Sequence, residues 1–146
     1  MSTDMSCPES VPTPRLRMTP ITAERYVSAD YFHREWKQMW MRTWQIGGIA
    51  YQAPEPGDYL VCDLGPESIL IVRQDDGGFK AFYNVCPHRG GPLGEGTLDG
   101  NVVTCPWHGW RFDVCTGQNP MIPTAKVEKF ECVVEGNDVK VRIDGA

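Results

Sequence analysis

The amino-acid sequence predicts a mainly β domain: a small antiparallel fold with one N-terminal helix. Three observations predict it. Beyond Trp44, short runs rich in β-branched and aromatic residues alternate with Gly, Pro and Asp turn signals. Before that point, only residues 28–44 carry apolar positions at helical spacing. The chain has 146 residues, 41% of them hydrophobic, which suits one core and about one domain.

Residues 1–20 hold Pro8, Pro12, Pro14 and Pro20 among Ser, Thr and Asp. Pro withholds backbone donors and breaks periodicity, so this stretch reads as a flexible tail, and Cys7 within it has no assigned role. Residues 21–146 read as a single domain. Ser28 can cap the helix and Asp30 suits its first turn. Phe32, Trp36, Met39 and Trp40 form an apolar stripe expected to dock the helix on the β-core. His33, Arg34 and Lys37 fall away from it, which makes His33 a solvated residue. Strands are expected at 45–50, 59–63, 68–73, 79–84, 101–104, 110–113, 127–134 and 139–143. Pro54-Glu55-Pro56-Gly57, Leu64-Gly65-Pro66 and Asp75-Asp76-Gly77-Gly78 supply turns, and Gly136-Asn137-Asp138 turns the last hairpin.

Composition narrows the function. Fourteen Lys and Arg stand against nineteen Asp and Glu, a net charge of −5. That balance argues against a nucleic-acid binder and suits docking to a basic protein partner. Charged residues at 23% are near average, so global disorder is not expected. No apolar run approaches the roughly 18 residues of a bilayer span, and the N-terminus lacks a secretory pattern. The expectation is a cytoplasmic protein without membrane partners. In that compartment six cysteines point to metal or redox chemistry more than to disulfides.

The informative stretch is Cys86-Pro87-His88-Arg89-Gly90-Gly91-Pro92-Leu93-Gly94, followed by Cys105-Pro106-Trp107-His108-Gly109-Trp110. Each loop offers one thiolate and one imidazole after a predicted strand. Sixteen residues separate His88 from Cys105. Gly and Pro let the backbone fold tightly round a buried centre. Coincidental buried Cys and His would not give two matched pairs. A structural zinc site suits the donor set, but zinc cysteines are usually paired two to four residues apart. The third reading is a [2Fe–2S] cluster with two Cys on one iron and two His on the other.

These two half-motifs, their spacing and the following Gly109 resemble the Rieske iron–sulfur family. The resemblance implies that Cys86 and Cys105 bind one iron, and His88 and His108 the other, of one Rieske-type [2Fe–2S] cluster. It implies a β-sandwich-like base with a smaller cluster-binding subdomain, placed at about residues 83–123. Asn119-Pro120-Met121-Ile122-Pro123 stands where relatives carry a cluster-shielding Pro loop, and a plain turn is an equal reading.

Details suggest the branch. Respiratory-type relatives carry an additional disulfide-forming Cys in each loop, where this chain has Gly91 and Trp107. They also place hydroxyl donors where it has Trp110 and Phe112. Fewer donors to the cluster stabilise its reduced state less, so a potential near the low end of the Rieske range is expected. The chain thus resembles the ferredoxin and aromatic-ring-hydroxylating dioxygenase branch. Arg42-Thr43-Trp44-Gln45-Ile46-Gly47-Gly48 and Pro54-Glu55-Pro56-Gly57-Asp58-Tyr59 are similar to a dioxygenase large subunit. Gly90–Gly96 and the C-terminal hairpin are more similar to stand-alone Rieske ferredoxins.

Histidine arithmetic bears on catalysis. A mononuclear non-haem iron needs two His and a carboxylate. With His88 and His108 on the cluster, only His33 remains among three. No catalytic residue is therefore expected, and substrate chemistry is expected on another polypeptide. The leading expectation is a Rieske ferredoxin that passes single electrons from a flavin-dependent reductase to a terminal oxygenase. The alternative is a tightly bound subunit of a split oxygenase, or of a nitrite-reductase-like complex. An exposed aromatic patch on residues 28–44 favours the subunit, and a buried stripe favours the shuttle. Trp107 and Trp110 are expected to shield the cluster, and Arg89 to steer a partner or bond a carbonyl. Cys62 and Cys132 are expected in the core, and Cys115 as a structural residue.

Overall fold

Ser28 divides the helical segment. Its extended backbone ends a short helix, α1 (Glu24–Val27), and its hydroxyl accepts from Tyr31 N at 3.2 Å to cap the next, α2 (Ala29–Gln38). The computed structural model, which describes residues 20–143, thus has two helices where one was expected. Residues 1–19, with Cys7 and nearly all of the expected tail, lie outside the described residues. α2 also stops early. Met39 leaves helical geometry (φ −125°, ψ −65°), and Trp40–Arg42 tighten into a 3-10 turn.

Nine strands follow: β1 (Gln45–Ile49), β2 (Tyr59–Leu64), β3 (Glu67–Arg73), β4 (Phe79–Tyr83), β5 (Thr97–Asp99), β6 (Val102–Thr104), β7 (Arg111–Asp113), β8 (Lys129–Glu135) and β9 (Asp138–Arg142). β5 was not expected, because three residues are too few to show alternation. The strands form a six-stranded sheet, β1-β9-β8-β4-β3-β2, and a three-stranded sheet, β5-β6-β7. The pairings are antiparallel throughout. The edges of the large sheet curl together: a Cβ at Gly48 of β1 would stand 2.5 Å from Leu60 Cδ1 of β2. Gly136 (φ +63°) turns the β8–β9 hairpin between Glu135 and Asp138 as the sequence suggests.

The run Ile69-Leu70-Ile71-Val72 in β3 is buried on both faces. Ile69 and Ile71 join a first core with Phe79, Ala81, Val139 and Val141 inside the curled sheet. Leu70 and Val72 join a second core with Phe82, Leu93, Val103 and Phe112. The second core also takes in Cys86 and Cys105. β3 therefore shares one strand between the base of the fold and the loops above the small sheet.

The aromatic stripe does not dock as expected. Only Trp36 is buried (8% exposed), while Phe32 and Trp40 are 43% and 41% exposed. The early end of α2 turns Met39 and Trp40 off the helical face. The docking point is one residue wide: Gly65 (φ +57°) has no side chain, and a Cβ there would occupy the space of the Trp36 ring. Among the described residues no helix is long and apolar enough to cross a membrane.

Candidate metal centre

Two loops from different sheets meet over the second core. The first leaves β4 and is closed at its neck by a bridge between Val85 and Pro92. The second joins β6 to β7. Both use the same hydrogen bonds. Cys86 N donates to Gly91 O (2.8 Å) and Cys105 N donates to Trp110 O (2.7 Å). Gly90 N donates to Cys86 O (2.8 Å) and Gly109 N to Cys105 O (3.0 Å). Gly90 and Gly109 both turn with positive φ, +79° and +70°. The fourth residue after each Cys must be able to adopt that left-handed conformation, and Gly does so without steric cost.

This shared turn puts the thiols low and the imidazoles high. Cys86 and Cys105 are each 2% exposed, His88 is half-buried and His108 is exposed. The imidazoles face each other edge-on, with ring centres 4.8 Å apart and planes at 83°. Both thiols are free. Burial pushes the Cys86 thiol up, backbone donors at His88 and Arg89 oppose this, and the neighbouring Cys105 thiol raises it again. Two adjacent thiolates are unfavourable alone and become favourable beside a bound cation. His88 is held below the ordinary imidazole value by desolvation, with His108 and Arg89 adding like charge.

One atom is conspicuous. His88 Nδ1 is buried and has no hydrogen-bond partner. An orphaned lone pair at such a point costs free energy unless a ligand satisfies it. Beside it stand a second imidazole, His108, and two free, buried thiols, Cys86 and Cys105. A tetrahedral zinc would gather all four donors round one point. A two-iron cluster needs them as two pairs. The donor set thus fits a mixed Cys₂His₂ [2Fe–2S] centre.

The surroundings include residues that the sequence reading passed over. Asn84 is buried; its Oδ1 accepts from Gly94 N (2.6 Å) and its Nδ2 donates to Ser68 Oγ (3.2 Å), pinning the first loop to the large sheet. Its place two residues before Cys86 was the available signal. Gly91 lies buried where a Cβ would stand 2.8 Å from Cys105 Sγ. Trp110 stacks on His88, while Trp107, expected to shield beside it, is 57% exposed. Cys115 N donates to Asp113 Oδ1 (2.8 Å) in a turn, consistent with a structural place. Burial raises the Cys132 thiol to about 11 and, with Asp63, raises Cys62, so these two pack as small apolar groups. In the 119–123 loop, Asn119 Oδ1 accepts from Met121 N and Ile122 N, which makes it an Asx turn. His33 is exposed.

Comparison with known proteins agrees with this geometry. The sequence pattern of the Rieske [2Fe-2S] domain matches residues 43–131. The carnitine monooxygenase oxygenase subunit of Escherichia coli K12 is 35% identical over 114 residues, covering 77% of this chain and 30% of that protein. The apo crystal structure of a quaternary ammonium Rieske monooxygenase, CntA, aligns with a TM-score of 0.72 at 26% identity, over 87% of this chain and 40% of that one. The ferredoxin of carbazole 1,9a-dioxygenase from Nocardioides aromaticivorans IC177 aligns with a TM-score of 0.60 at 27% identity, over 68% of this chain and 96% of its own. The curated relatives are much longer, and the chain spans 20% to 30% of their length. With its two Cys–His loops raised over a β-core and its pattern matched over residues 43–131, the chain belongs to the Rieske [2Fe-2S] domain family.

Proposed function

We propose that this chain is the electron-relay domain of a Rieske oxygenase alpha subunit. It works in stable association with a mononuclear iron centre rather than as a free ferredoxin. The observation that carries this reading is coverage. An oxygenase structure accounts for 87% of the chain and a ferredoxin for 68%. The family's pattern begins at residue 43, so α1 and α2 stand outside the common domain. The exposed Phe32 and Trp40 on that helical segment further support an associated subunit.

In this reading Cys86 and Cys105 hold one iron through buried thiolates, and His88 and His108 hold the other. The bound cluster supplies reversible one-electron reduction. The chain's own residues do the rest. The second core keeps water from the thiol side. The two imidazoles, nearer the surface, give the shortest path to a partner. Asn84 and the paired turns at Gly90 and Gly109 hold the donors in place before a cluster is bound. The cluster-binding subdomain takes residues 83–123 of a single domain over 21–146. The electron source is a flavin-dependent reductase, directly or through a ferredoxin, and the acceptor is the oxygenase iron. Free thiols at all five described cysteines suit a reducing, cytoplasmic setting.

Affinity purification from the native host, with iron counted per chain, tests the proposal. The expected result is this sequence held with mononuclear iron, so that iron exceeds two per chain. A brown, unattached protein with two irons per chain would restore the shuttle reading.

A further inference from the structure

The indole of Trp110 lies flat on the imidazole of His88. Their ring centres are 4.5 Å apart and their planes differ by 4°. His88 belongs to the first loop and Trp110 to the second. Trp110 is fixed from below in two ways: its carbonyl accepts from Cys105 N (2.7 Å), and its ring packs beside Phe112 (6.4 Å), which is almost wholly buried. The left-handed turn at Gly109 reverses the chain just before it.

From this we infer that Trp110 is a positioning residue, which clasps the two loops together and fixes the plane of the His88 ring so that Nδ1 stays turned inward before any iron arrives. The inference rests on the ligand reading above. An imidazole has a soft, roughly twofold torsion at χ2. Left free, it would rotate Nδ1 toward water, where an unsatisfied nitrogen finds partners. In this structure Nδ1 is instead buried and unpartnered. A parallel aromatic face opposes that rotation without itself offering a hydrogen bond. His108 meets His88 edge-on at 83°, so it closes a second side of the ring. Trp107 does not share the role: it stands edge-on to His108 at 6.5 Å and is largely exposed.

The test compares Trp110→Leu, Trp110→Phe and Trp107→Leu with the wild-type 146-residue chain. In the iron-free protein, NMR should show the His88 ring protons shifted upfield by the indole, and Trp110→Leu should abolish that shift. Reconstitution with ferrous iron and sulfide should then run about threefold to tenfold more slowly, a size set by aromatic-pair energies. The reduced cluster should show altered EPR g values. Trp110→Phe should restore most of each signal, and Trp107→Leu should match wild type. A Trp110→Leu protein that loads at the wild-type rate with wild-type g values overturns the inference. Equal losses from Trp107→Leu do the same. If circular dichroism shows Trp110→Leu unfolded, Trp110→Phe carries the test: a folded Phe variant that loses the upfield His88 shift yet loads at the wild-type rate with wild-type g values refutes the inference. A wild-type chain that assembles no Rieske spectrum overturns the ligand reading instead, and the iron-free His88 shift still judges the stack.

Discussion

Replacing Gly91 by Ala adds one methyl group at a buried point between the two loops. Its carbon would lie 2.8 Å from Cys105 Sγ and 3.1 Å from Trp107 Cγ and Cδ2. Ordinary contacts of this kind are about 3.5–4.0 Å. The sulfur must therefore retreat by roughly 1 Å, or the first loop must lift. Retreat is opposed, because hydrogen bonds to Gly109 and Trp110 fix the Cys105 backbone and the second core packs round its side chain. Overpacking of this kind costs about 1–3 kcal/mol, which lowers the population of closed loops about 5- to 150-fold. On the proposed ligand reading Cys105 Sγ binds iron, and ligand distances in metal sites hold to within about 0.2 Å, so even partial retreat would disturb that bond. The assay is iron and acid-labile sulfide per chain after reconstitution, with the EPR spectrum and a thermal melt. Gly90→Ala is the matched control. No heavy atom stands within 4 Å of its Cβ, but its φ of +79° strains any other residue by about 1–2 kcal/mol. Gly90→Ala should lower the melting temperature and keep the cluster; Gly91→Ala should lose it. A Gly91→Ala protein with full iron content and an unchanged spectrum refutes the reasoning.

Three further predictions follow from the site and its anchors. His108→Ala should abolish the Rieske spectrum and Cys115→Ser should leave it intact; the reverse result, read by EPR, would mean the wrong donors were chosen. The reduction potential should lie near the low end of the range of about −150 to +300 mV, since Trp110 and Phe112 offer no hydroxyl to the centre, and voltammetry giving a value well above zero contradicts this. Trp36→Ala should destabilise the fold by about 3–5 kcal/mol in denaturant melts, because Trp36 is the buried anchor of α2, and a loss under about 1 kcal/mol would show the helix rests elsewhere.

Much of the site was legible because its chemistry is local in sequence. Cys86 with His88, and Cys105 with His108, each sit within four residues, and the turns that present them need only Pro and Gly nearby. What escaped is non-local. Asn84 acts through Gly94 and Ser68, and only its place two residues before Cys86 points to it. Gly91 matters because of a sulfur fourteen residues away. The strands of the large sheet were readable from alternation and turn signals, but three-residue β5 was not. The aromatic stripe misled for a physical reason. Helical spacing over 32–40 assumes the helix continues, and the break at Met39 turns the last two members aside. Burial then depended on Gly65, a residue in a different element.

β3 divides two duties between alternate side chains, and this can be separated by experiment. Ile71 faces the first core and Leu70 the second, and both are essentially buried. Truncation of either to Ala should cost about 2–5 kcal/mol, so global stability alone will not tell them apart. Their neighbours differ. Leu70 belongs with Cys86, Cys105 and Leu93, and its Cδ1 stands 3.5 Å from where a Gly94 Cβ would be. A cavity there undercuts the platform on which both loops rest and favours local opening beneath the thiols. A cavity at Ile71 lies between β3 and the curled far side of the sheet. Iron release to a chelator, measured at equal distance below each variant's melting temperature, should therefore be faster for Leu70→Ala than for Ile71→Ala. Equal release rates would mean that the two cores yield as one, and that the strand does not insulate the cluster loops from the base.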